Sequence, residues 1–141
     1  MHHIYSPRTC DASIEEEIVA KGLTAPRITP ADIESNIEAA YYFTAQEGDA
    51  GHVTAQVRAA APEKQLTISP LSENPQPVRG PLDLLTFCVL VLRNGFTVTG
   101  ESACASPENF DAEVGRKIAR ANAVQKIWPL MGYELKSKLS A

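Results

Sequence analysis

The sequence predicts an α+β fold: a small antiparallel sheet built on one hairpin and packed against two main helices. Three features carry this expectation. Asn94-Gly95 joins two β-rich runs, Thr29-Pro30 opens one amphipathic segment, and Ser106-Pro107 opens another. Asn-Gly supplies the positive φ angles of a tight hairpin turn. A hydroxyl residue followed by proline marks a helix start, because proline's missing N–H costs nothing at the first helical position.

At 141 residues the chain fits a single domain, residues 1–141. Residues 1–28 form an N-terminal arm with a short helix: Ser13 caps it, Glu15, Glu16 and Glu17 suit its positive start, and Gly22 ends it. From Thr29-Pro30 a helix is expected to about Phe43, with Ile33, Ile37, Ala40, Tyr41 and Thr44 on its docking stripe and Tyr42 off it, facing a ligand or partner. Residues 48–81 read as a long proline-rich loop with short strands around His52–Arg58 and Gln65–Ile68. A connection that long usually has a binding or assembly task, here wrapping a neighbouring subunit.

The hairpin spans Leu84 to Ser102. With a two-residue turn, Arg93 pairs with Phe96, Val91 with Val98 and Val89 with Gly100. Leu92, Leu90 and Cys88 then oppose Thr97, Thr99 and Glu101 on the other face. The first strand is apolar on both sides, so a helix should cover one face and a second subunit the other. Ser106-Pro107 starts the longest helix, expected to reach Trp128 before Pro129 stops it, with a short final strand or arm over 130–136.

A net charge of −4 argues against coating duplex nucleic acid, which needs a broadly basic face. Any bound nucleotide should be small and held locally. No apolar run is long enough to span a bilayer, and no signal-peptide core follows Met1. Cys10, Cys88 and Cys104 fit neither a disulfide framework nor a zinc site, which points to a reducing cytosol. His2, His3 and His52 lack spaced acidic partners, Cys88 sits in an apolar strand, and no phosphate-loop or metal-ligand motif occurs. These features favour binding over turnover, without metal or cofactor.

On the last helix, Phe110, Val114, Ile118, Ala121, Val124, Gln125 and Trp128 fall in one sector of about 140°, the expected core side. Asn109, Glu113, Arg116, Arg120 and Ala123 flank it. Two guanidinium forks one turn apart suit a pyrophosphate or a pair of phosphates, and Asn109 adds a directional contact to a ribose or base. The plainer alternative is a solvated helix face in which Glu113 pairs Arg116 or Lys117. Thr97 and Thr99 repeat hydroxyls along a strand face that could reach a ligand lying on the sheet, the more common alternative being solvated β-branched residues. Tyr41, Tyr42, Phe87, Phe96 and Phe110 are aromatics able to stack a base, with Tyr42 and Phe87 the candidates for the site, although most of the five should simply be core.

The run LTFCVLVLRNGFTVTGESAC from Leu85 to Cys104, SPENFD from Ser106 to Asp111, GRKIAR from Gly115 to Arg120, IWPL from Ile127 to Leu130, and Gly132-Tyr133 together resemble a family of small phage proteins. The likeness covers roughly residues 30–45 and 83–138. The family looks like the one containing the first-described Thoeris anti-defence proteins, which sequester cyclic ADP-ribose isomers released as immune signals. The resemblance implies an α+β symmetric homo-oligomer, a hexamer, in the cytoplasm of the infected host, with a pocket near a subunit interface lined by helix arginines, here Arg116 and Arg120. It further implies cyclic di- or trinucleotides of a second defence pathway, CBASS, at a separate site, for which Arg8, Arg27 and Arg58 are loose candidates. A phosphodiesterase acting on the same signal and a structural phage assembly protein are the competing expectations.

Overall fold

A computed structural model describes residues 11–60 and 80–141. The fold is α+β. Its elements are α1 (Asp11–Ala20), α2 (Pro30–Ser35), β1 (Ile37–Thr44), α3 (Ala45–Ala60), β2 (Leu85–Leu92), β3 (Thr97–Ala103) and α4 (Ala112–Leu139), with short 3-10 turns at Pro81–Leu84 and Pro107–Asn109. The antiparallel sheet has the order β1-β2-β3, and α4 crosses one face of it.

The expected start at Thr29 is present as a full capping box. Asp32 N–H donates to the Thr29 hydroxyl at 3.1 Å, and Thr29 N–H donates to the Asp32 carboxylate at 2.9 Å. The helix, however, stops at Ser35, and residues 37–44 form a strand instead of helical turns. Isoleucine and aromatics spaced two apart satisfy strand alternation as well as a helical stripe, and pairing with the apolar β2 decides between them. One extra residue between Ile37 and Ala39 bulges β1 against Leu92 and Val91.

The hairpin is present with a three-residue loop, not a two-residue one. Gly95 N–H donates to the Leu92 carbonyl and Leu92 N–H to the Phe96 carbonyl, each at 2.8 Å, with Gly95 at φ +88°. Leu90 therefore faces Val98, Cys88 faces Gly100, and Val91 and Val89 pair with Thr97 and Thr99. This register puts Leu92, Leu90, Cys88, Val98 and Gly100 on the face that α4 covers. A one-residue slip would expose that set.

The last helix differs from expectation in three respects. Asp111, not Ser106, caps it, accepting Val114 N–H at 2.9 Å, and Ser106-Pro107 opens only a 3-10 turn. It also continues through Pro129 to Leu139, so residues 130–136 are helical. Proline removes one bond, to the carbonyl of the exposed Gln125, while buried Ile127 and half-buried Trp128 and Met131 hold both flanks to the core. The buried face is Gly115, Ala119, Ala123 and Ile127, whereas Val114 is 52% exposed. Small residues win this face because the backbones nearly touch: a Cβ on Gly100 would lie 2.2 Å from the Ala119 carbonyl oxygen and 2.3 Å from the Ala123 nitrogen. Ala123 thus belongs to the core rather than to the arginine face.

Residues 45–60 are helical, correcting the loop and the strand expected at His52–Arg58. Alanine- and glutamine-rich composition outweighs Gly48 and Gly51, and the Thr44 hydroxyl accepts Glu47 N–H at 3.1 Å as a cap. The strand expected at Gln65–Ile68 lies outside the described residues. The core consists of Ile33, Cys88, Leu90, Leu92, Val98, Ala119, Ala123 and Ile127.

Candidate functional site

The buried stripe of α4 sets where its polar residues point. Asn122, on one side, donates to the Glu101 carbonyl of β3 at 2.8 Å. Arg116 and Arg120 flank the stripe on the other side, and Arg120 reaches β1 and α2. Its Nη2 donates to the Glu34 carboxylate at 2.8 Å and its Nη1 to the Tyr42 hydroxyl at 3.4 Å. Arg116, one turn earlier, is exposed and has neither an ion pair nor a hydrogen bond among the described residues, because Glu113 pairs with Lys117 at 3.2 Å.

Burial works against the Arg120 charge, but the Tyr42 hydroxyl and the Glu34 carboxylate outweigh it and push the guanidinium above its ordinary value. The opposite balance holds at Cys88 beneath it. Burial pushes the thiol up, opposed by the Tyr42 hydroxyl and the Arg120 charge, so it stays protonated. The cluster is a permanently charged fork with one anionic and one neutral partner, beside a second fork without either.

The structure divides the other candidates. Tyr42 joins Arg120 on the α4 side of the sheet. Phe87, Thr97 and Thr99 lie on the opposite face, where Phe87 meets Phe43 with ring centroids 5.6 Å apart. Asn109 is exposed in the 3-10 turn before α4. Glu34 was missed by sequence reasoning; it lies 86 positions from Arg120, and no spacing rule connects them.

Among the described residues, three well-formed clefts lie elsewhere, and neither Arg116 nor Arg120 lines them. The first, about 230 Å³, separates α1 from α4; at its wall, Trp128 Nε1 is buried without a hydrogen-bond partner among the described residues. There Arg27 is bound by both its Nη atoms to Glu15, at 2.6 and 2.5 Å. The second, about 410 Å³, lies among Asn36, Arg93, Met131 and Lys138; the third, also about 410 Å³, adjoins Leu84 and Cys104. Among the described residues no three His, Cys, Asp or Glu side chains are grouped to hold a metal ion, and no helix is long and apolar enough to cross a membrane.

A family model described as "Phage protein (N4 Gp49/phage Sf6 gene 66) family" matches residues 28–139. No curated protein and no solved structure matches the chain.

Proposed function

The chain belongs to this phage protein family, and from that premise we propose that it is an anti-defence sponge. It binds cyclic ADP-ribose-type immune signals in the infected host's cytoplasm and leaves them chemically intact. The observation that carries the reading is the pair of guanidinium forks on α4, with Arg116 open and Arg120 oriented by Tyr42. Two forks at i and i+4 match the phosphates of such a signal. Sequestration needs tight binding and no general base, and free signal falls by mass action.

The reading includes self-association. Phe87, Thr97 and Thr99 lie on the sheet face opposite the arginines, so one pocket using both sets takes two chains. One chain presents its α4 side and the other its sheet face. The open face, with Tyr41 58% and Phe43 37% exposed, also supports the competing reading of an assembly protein. Cyclic di- or trinucleotides at a separate site belong to the same proposal. Arg58 is exposed for that task, whereas Arg27 is already committed to Glu15.

The test is depletion and release. Protein incubated with the signal should remove it from the filtrate, and heat-denatured protein should return it intact by mass spectrometry. A cleaved product would place the phosphodiesterase reading ahead, and no depletion would favour assembly.

A further inference from the structure

We propose that Glu34 is a displaceable internal competitor for the anion site: its carboxylate holds the Arg120 fork until a phosphate-bearing ligand takes its place. The proposal rests on Arg120 being an anion ligand. Three observations support it. Glu34 meets Arg120 through a single contact, Nη2 to Oε2 at 2.8 Å, not the two-pronged pairing that a committed structural bridge adopts. The Glu34 side chain is 59% exposed and Arg120 only 31%, so the carboxylate returns to water at little cost while the guanidinium stays where it is. A second, independent tie, Nη1 to the Tyr42 hydroxyl, keeps the fork in place after Glu34 leaves.

The placement of Arg116 gives the competition its direction. An anion bridging the two forks approaches from the side of Arg116, which has no carboxylate of its own among the described residues. Its phosphate then meets the Glu34 charge at Arg120. Two anions sharing one fork repel, so the weaker, more hydrated partner is the one released. Glu34 thereby sets a threshold: singly charged or weakly held anions fail to displace it, whereas a ligand that also engages Arg116 succeeds.

The test titrates the full-length chain with inorganic pyrophosphate by calorimetry. Glu34→Gln removes the charge but keeps an acceptor for Arg120, and should bind about two- to fivefold tighter, the range spanned by an exposed ion pair, while its melting temperature falls slightly or stays level. A purely structural tie would lower affinity and melting temperature together. Glu113→Gln, which removes an equal charge near Arg116 on α4 rather than from α2, should gain clearly less. The gain should vanish in Glu34→Gln combined with Arg120→Ala, compared with Arg120→Ala alone.

If Arg116→Ala and Arg120→Ala weaken pyrophosphate binding but Glu34→Gln does not strengthen it, the competitor role is overturned and the sponge reading stands. An equal gain from Glu113→Gln also overturns it, since net charge alone then explains the effect. If the wild type does not bind pyrophosphate, or the arginine variants bind it as well as the wild type, both readings fall.

Discussion

The two arginines have different environments, so their loss should have different consequences. Arg116 is exposed and unpaired among the described residues, and Arg116→Ala should leave the urea midpoint unchanged. Arg120 ties α4 to α2 and β1, so Arg120→Ala should cost up to about 1 kcal/mol of stability, the upper end for a partly exposed ion pair. In binding, each should lose about 1.5–3 kcal/mol of affinity for the signal, the scale of a charge-assisted hydrogen bond. Calorimetry alongside denaturation separates the two effects. Equal binding by wild type and Arg116→Ala would remove the guanidinium pair from the site.

At the scale of elements, the fold depends on two local arrangements that a single substitution can break. Gly100→Ala places a methyl within 2.2 Å of the Ala119 carbonyl oxygen and 2.3 Å of the Ala123 nitrogen. Backbone cannot yield as a side-chain tip can, so α4 must lift from β3, at about 3 kcal/mol; chemical denaturation checks this. The capping box of α2 has a pH signature. Thr29's backbone N–H, with its hydroxyl, holds the Asp32 carboxyl below its ordinary value. A lowered folded-state value means stability present above the unfolded carboxylate's value near 4, lost as pH falls through the folded value. Asp32→Asn should therefore melt earlier than wild type at pH 7, with the gap closing in acid; a constant gap would assign the effect to geometry.

These elements also show what the residues disclosed. The helix start at Thr29 and the presence of an Asn-Gly hairpin were legible because caps and turn residues act within four positions, whereas the cap, end and buried face of the last helix were not. Three outcomes were not legible because partners distant in sequence decide them: β1 becomes a strand only because β2 is beside it, the hairpin register follows from Val98 and Gly100 meeting α4, and the α4 core face follows from backbone contact at Gly100. Apolar size misled the last of these, since a touching helix buries its smallest residues. In the candidate site, the arginine pair follows from helical spacing, while Glu34 and the separation of Phe87, Thr97 and Thr99 from Arg120 required the fold.

For the whole molecule, magnitudes bear on the proposed self-association. Three strands about 4.8 Å apart, two of 8 residues and one of 7, present a face on the order of 350 Å², under half of the roughly 800 Å² that each partner of a standard interface buries. The sheet face alone is too small, and α3 is the adjacent surface that can enlarge it. This 16-residue helix has Val53 and Val57 exposed, and a helix of that length is marginal in water without packing. A contact in which the α4 side of one chain meets the sheet face of the next is heterologous and closes into a ring if its rotation allows. Such a ring makes a strong prediction. Arg120→Ala chains lack the α4 half of every pocket, and Thr99→Asp chains carry a repelling charge in the sheet half. Each should bind signal poorly alone, but co-refolded at equal amounts they should regain about a quarter of wild-type sites, because random mixing pairs an intact α4 with an intact sheet face at that fraction of contacts. Sedimentation of the mixture at the wild-type size with no recovered binding would show that each pocket lies within one chain, and the sheet face would then have no part in it.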